Sequence, residues 1–177
     1  EQGDRLYVFH NQQTLRCLDG KTGNEIWEAR WDKPDGSGPE AVPLGNETGT
    51  PAVGRDIVCV GSTSAKSVGG ETFPAAMYAF DKATGKMRWK FPVNQALAPT
   101  VPYHRDVATV TSSPVIVGDV VYFGASDGWF YALDADTGSC LWKYWFGLPI
   151  ASTVAVTGNT VVVAVWDGTV YALTAGT

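Results

Sequence analysis

Three ten-residue stretches of the chain align without a gap: LDGKTGNEIW at 18–27, FDKATGKMRW at 80–89 and LDADTGSCLW at 133–142. They share the pattern Asp-x-x-Thr-Gly-x-x-x-Trp. A motif that returns with fixed internal offsets implies stacked units, each burying its apolar face against the next. An alternating apolar stretch precedes each copy, and two of these end in near-identical words, MYAF at 77–80 and FYAL at 130–133. A fourth copy opens with VYAL at 170–173, then carries Thr174 where the others carry Asp.

The motif has the chemistry of a tight turn. Asp accepts backbone N–H bonds two residues on, Thr adds a weaker bond of the same kind, and Gly supplies the positive φ that closes the hairpin. The Trp then opens the next strand, where its indole can pack on the neighbouring repeat once its N–H finds an acceptor. Asp19, Thr22, Gly23, Trp27, Asp81, Thr84, Gly85, Trp89, Asp134, Thr137, Gly138 and Trp142 are therefore expected to be a structural docking motif rather than chemistry.

A second shared signal lies upstream of each motif, where Gly3, Gly54, Gly118 and Gly158 have an Asp or Asn within two residues ahead of a β-rich run. That is a hairpin signature, and it gives each unit four strands, A to D. In the third unit, strand A is expected near 111–117, B at 120–125, C at 129–134 and D at 140–146. The motif spacings are 62, 53 and 40 positions (Asp19, Asp81, Asp134, Thr174), so the shortest is a bare repeat and the others carry insertions. Four strands in roughly 40 to 50 residues predict an all-β chain, a β-propeller of four-stranded antiparallel blades. The whole of 1–177 reads as one propeller segment: blade 1 (strands B to D) at 3–30, blade 2 at 48–91, blade 3 at 109–146 and blade 4 (strands A to C) at 151–177. About three and a half blades imply a partial ring. Its completion is expected from the remainder of the same chain or from another copy, as a homo-oligomer.

With the motif preceded by Ala in the form Ala-x-Asp-x-x-Thr-Gly-x-x-x-Trp, the chain resembles the pyrroloquinoline-quinone-type (quinoprotein-like) propeller repeat family over nearly its whole length. That resemblance implies two kinds of protein: quinone-cofactor dehydrogenases, and noncatalytic propellers that bind protein or peptide, among them a lipoprotein of outer-membrane protein assembly. The dehydrogenases of the family use a pair of adjacent cysteines, a Trp under the cofactor, a calcium and an Asp base. No adjacent cysteines occur in this sequence, so the reading leans away from an enzyme, with no cofactor expected and PQQ with calcium as the alternative. The resemblance also implies a periplasmic or extracellular location.

Composition removes other classes. Thirteen Lys and Arg against eighteen Asp and Glu give a net charge of −5, which argues against nucleic acid as a partner. The apolar runs fall far short of the roughly 20 residues of a membrane-spanning helix. Cys17, Cys59 and Cys140 are scattered and odd in number, and read as buried small residues with free thiols. His10 and His104 lie on different blades, so no metal site is expected. The Asp32 to Gly36 stretch lacks calcium-loop spacing, and the Asp-Gly pairs at 127–128 and 167–168 read as B–C hairpin turns. Ser112, Ser113 and Ser152 have no nucleophile context.

What remains is loop length. Strand order places the B–C turns and D–A crossovers on one face of a propeller, and all three long insertions are of that kind: 30–50, 61–75 and 92–109. Long loops in a compact domain are usually functional or disordered. These carry Trp31, Asp32, Glu40, Lys66, Phe73, Tyr103, His104, Arg105 and Asp106, the mix of aromatic anchors and charge found at recognition surfaces. Partner binding is therefore expected over blade 2, through Trp31, Asp32, Lys66, Tyr103, His104, Arg105 and Asp106.

Overall fold

The computed structural model describes residues 4–10, 14–29, 49–63, 65–66, 72–93 and 109–175. The regular structure among them is β, in sheets of three, four, four and three strands plus a small hairpin. The first sheet is β1 (Arg5–His10), β2 (Thr14–Asp19) and β3 (Glu25–Ala29). The second opens with β4 (Ala52–Val53) and β5 (Ile57–Gly61). Next come β6 (Ala65–Lys66) and β7 (Thr72–Phe73), which among the described residues pair only with each other. The second sheet then resumes with β8 (Ala76–Asp81) and β9 (Met87–Pro92). The third sheet is β10 (Val115–Val117), β11 (Val120–Gly124), β12 (Trp129–Asp134) and β13 (Cys140–Trp145), and the fourth is β14 (Ala155–Thr157), β15 (Thr160–Ala164) and β16 (Val170–Thr174). Every pairing is antiparallel between strands that follow one another within a repeat. Strand A of the third repeat is shorter than its apolar pattern suggested, because Ser112 turns inward to bond strand B instead of extending the ladder. Its hydroxyl donates to the Gly124 carbonyl and accepts from the Gly124 N–H.

The sheets bury their faces against one another, giving three inter-sheet cores. Tyr7, Leu15, Cys17 and Trp27 meet Val58, Val60, Tyr78 and Phe80 between the first two sheets. Cys59, Met77 and Trp89 meet Val121, Phe123, Tyr131 and Leu133 between the second and third. Tyr122, Phe130 and Ala132 meet Val161, Val163 and Val165 between the third and fourth. A sheet held on both sides cannot keep an apolar and a polar face. That is why β5, sequence IVCVG, is buried at every position and β8 at all but its last.

The repeated turn works as its composition suggests. In the first copy Asp19 Oδ1 accepts from the backbone of Lys21 (3.0 Å) and Thr22 (2.7 Å) and from the Thr22 hydroxyl (2.9 Å). The second and third copies repeat the set around Asp81 and Asp134. Gly23, Gly85 and Gly138 hold φ of 72°, 71° and 72°. The Trp is the third residue of its strand, and its N–H reaches the next repeat's turn: Trp27 Nε1 donates to the Lys82 carbonyl at 3.2 Å, and Trp89 Nε1 to that of Ala135 at 2.9 Å. Trp27 and Trp89 are buried, and Trp142 is half-buried.

Cys17, Cys59 and Cys140 are free thiols. One expectation fails here. Cys17 and Cys59 are buried between sheets, but Cys140 is exposed, because it opens β13, the outermost strand of its sheet.

The turn carboxylates make folding acid-sensitive. The Thr22 backbone N–H lowers the Asp19 pKa, and the Thr84 and Thr137 hydroxyls lower those of Asp81 and Asp134. A depressed folded-state pKa stabilises the fold above the unfolded Asp value, near 3.9, and that contribution is lost as pH falls through the lower folded value. The urea midpoint should fall below about pH 4, and Asp81→Asn with Asp134→Asn should flatten that fall. An unchanged acid limb in the double variant would contradict the assignment.

Candidate functional site

The expected binding residues Trp31, Asp32, Tyr103, His104, Arg105 and Asp106 lie outside the described residues. Lys66 is described in backbone only, paired with Thr72 in the β6–β7 hairpin. The described residues do show where the long segments are rooted. Thr63, leaving β5, bridges Thr109, where the chain returns toward the third sheet. Val110 N–H donates to Ser62 O, Ala76 N–H to Ser62 Oγ, and Val93 N–H to Ala75 O. Thr109 N–H donates to Ser126 Oγ at 2.7 Å, and Ser126 N–H returns a bond to Thr109 O. The ends of 64–75 and of 94–108 are therefore knitted to the B–C turn of the third repeat, on one face of the molecule.

That turn also holds a buried carboxylate. Asp127, 1% exposed, accepts from the Trp129 N–H through Oδ1 (3.1 Å) and from the Tyr131 hydroxyl through Oδ2 (2.6 Å). Asp167 repeats the arrangement with Thr169 and Tyr171 at 2.8 and 3.4 Å. Gly128 and Gly168, at φ of 82° and 83°, complete the hairpins. Both oxygens of Asp127 are thus engaged in forming the turn.

The opposite face carries a feature that the reading of the sequence missed. A cleft of about 720 Å³ opens between the first two sheets, lined by Asp4, Arg5, Tyr7, Lys82 and Arg88 among others. Arg5 explains it. Strand register sets Arg5 opposite Asp19, where the next repeats set Ile57 opposite Asp81 and Val120 opposite Asp134. A long cation thus replaces an apolar core residue, a difference visible by superposing the repeats. Several of the charges around the cleft are engaged. Arg5 donates to the Lys82 carbonyl, and Lys82 Nζ to the carbonyls of Gly54 and Arg55. Arg88 pairs with Asp81 and Asp136, and Arg55 with Asp119.

A quinone cofactor with its calcium does not fit the described residues. Cys17 and Cys59 are buried in the same inter-sheet layers that hold the sheets together, and Cys140 stands alone on an outer strand. Asp127 is taken up by its own turn, and no group of three or more His, Cys, Asp or Glu among the described residues could hold a metal ion. Among the same residues, no helix is long and apolar enough to cross a membrane.

Comparison with known proteins agrees with this architecture. The chain is 29% identical over 161 residues to outer membrane protein assembly factor BamB of Burkholderia pseudomallei, covering 90% of this chain and 33% of that protein. It is 26% identical over 151 residues to the 1-butanol dehydrogenase (quinone) of Thauera butanivorans, covering 77% and 20%. The chain thus spans a third or less of the curated relatives it matches. The solved structure of BamB from Moraxella catarrhalis superposes with a TM-score of 0.67 at 20% identity, covering 99% of this chain and 47% of that one, which establishes the β-propeller fold. The repeat model described as outer membrane protein assembly factor BamB matches residues 2–71 and 75–177. On motif, blade architecture and that match together, the chain belongs to the PQQ-type propeller repeat family described by BamB.

Proposed function

We propose that the chain is a noncatalytic propeller module that binds a protein or peptide through the face carrying its B–C turns and D–A crossovers, working in the periplasm. The observation behind this reading is the convergence of Ser62, Thr63, Val93, Thr109 and Ser126, which roots two long segments side by side. Trp31, Asp32, Lys66, Tyr103, His104, Arg105 and Asp106 supply the recognition chemistry. Similarity to BamB, named for outer-membrane protein assembly, supports a protein partner. The rest of a longer chain, or a second copy completing the ring, would be compatible with this face.

Photo-cross-linking tests it. A benzophenone amino acid at Trp31 or Tyr103 should capture a partner, whereas the same probe at Lys21 or Lys82 on the opposite face should not. Alanine at Trp31, Tyr103 and Arg105 together should weaken capture at least about tenfold, the loss expected for hot-spot aromatics and Arg. Capture only from Lys21 and Lys82 would put the functional face on the other side.

The alternative is part of a PQQ-dependent dehydrogenase whose remaining ligands lie elsewhere, supported by the similarity to quinone-dependent alcohol dehydrogenases. Dye reduction on adding PQQ, calcium and a primary alcohol would favour that reading.

A further inference from the structure

The cleft between the first two sheets opens where one repeat boundary lacks the apolar pair that closes the others. Between the second and third sheets, Ile57 is 3% exposed and Ile116 packs against the same core. Val120 and Val156 play those parts between the third and fourth. Strand register puts Arg5 in the place of Ile57 and Val53 in the place of Ile116. Both are exposed, Val53 at 48%. A departure of one repeat from a pattern its sisters keep is where function is expected.

The groups around the cleft are unequally spent. Arg5 gives one N–H to the Lys82 carbonyl, a neutral acceptor, and forms no ion pair among the described residues. The backbone, in contrast, is used up. Lys82 O takes both Arg5 and the Trp27 indole, Lys82 N–H goes to Asp56 O, and the carbonyls of Gly54 and Arg55 hold Lys82 Nζ. Four cations (Arg5, Arg55, Lys82, Arg88) and three carboxylates (Asp4, Asp56, Asp81) line the space, an excess of one positive charge.

We propose that this cleft is a binding site for a small monocarboxylic acid with an apolar body, its carboxylate on Arg5 and its chain along Val53 and Ala83. It lies on the face opposite the long segments and does not depend on the protein-binding reading. A carboxylate matches the planar guanidinium fork, which has donors left to give. The exposed Asp4 and Asp56 repel an anion of higher charge, such as a phosphate ester. A peptide backbone would find its hydrogen-bonding partners already taken, so the ligand is a small molecule. A volume of about 720 Å³ is in the range of small-molecule sites.

NMR titration of the full chain with sodium hexanoate tests this, reading the Arg5 side-chain Nε–H and the Val53 and Lys82 backbone amides. These signals should shift saturably. Hexanamide keeps the chain but not the charge, and should bind about tenfold more weakly or worse, the loss of a charge-assisted hydrogen bond. Arg5→Ile, which installs the residue of the second repeat, should weaken hexanoate binding by a similar factor while melting holds or rises. Arg5→Gln, which keeps a donor but no charge, should do the same and serves should Arg5→Ile melt lower. An acetylated glycyl-leucine dipeptide and inorganic phosphate should both bind more weakly than hexanoate. A dipeptide that binds as well would give the cleft to a peptide end, and phosphate that binds as well would reduce it to a patch of charge; either result overturns the proposal. So would the absence of saturable shifts, equal affinity for hexanamide, or Arg5 variants of full affinity.

Discussion

Trp89→Ala should destabilise the protein by about 3 to 5 kcal/mol, the range for truncating a buried Trp. The side chain is 8% exposed, in the core between the second and third sheets. Its removal costs more than apolar area, because the Nε1–H bond to the Ala135 carbonyl is a polar tie between one repeat and the next repeat's turn. Trp89→Phe separates the two contributions. It keeps most of the ring area and drops the donor, so its cost should include about 1 kcal/mol for the lost bond. Trp142→Ala should cost less than Trp89→Ala, since Trp142 is only half-buried. Urea unfolding followed by circular dichroism reads all three, and a Trp89→Ala protein with the wild-type midpoint would remove the docking role.

The parts of this fold legible in the sequence are those fixed by neighbours along the chain. Asp19, Asp81 and Asp134 bond residues two and three positions on, so composition alone announces the turn. Strands B, C and D of the third repeat follow the same local signals. What escaped depends on contacts between repeats. Arg5 looks like an ordinary polar residue until register sets it level with Ile57 and Val120. Cys140 reads as buried until its strand proves to be the outer edge. The expected site residues between 30 and 48 and between 94 and 108 have no counterpart in other repeats. Comparing the repeats therefore does not reach their roles, whereas Ser62, Thr109 and Ser126 at the roots of two of the long segments are tied by hydrogen bonds.

Gly138 has a second role, visible only across a repeat boundary, and Gly138→Ala should cost about 2 to 5 kcal/mol as the sum of two effects. At φ 72° a Cβ sits in the left-handed region, a penalty of about 1 to 2 kcal/mol. The same Cβ would lie 2.6 Å from Trp89 Cδ2. The indole cannot simply retreat, because it is held by the Ala135 carbonyl and by the core behind it. Overpacking of this kind adds about 1 to 3 kcal/mol. Gly85 stands in the same relation to Trp27, with 2.6 Å to its Cε3. Gly23 supplies the internal control: it has the same φ of 72°, but nothing lies within 4 Å of a Cβ built there. Gly23→Ala should therefore show the backbone penalty alone, and the difference between the two variants measures the docking contact. A double-mutant cycle sharpens this, because removing the indole in Trp89→Ala should bring the cost of Gly138→Ala down to that of Gly23→Ala. If Gly138→Ala costs the same with and without the Trp89 ring, the glycine serves only its own turn, and its place in the motif owes nothing to the preceding repeat.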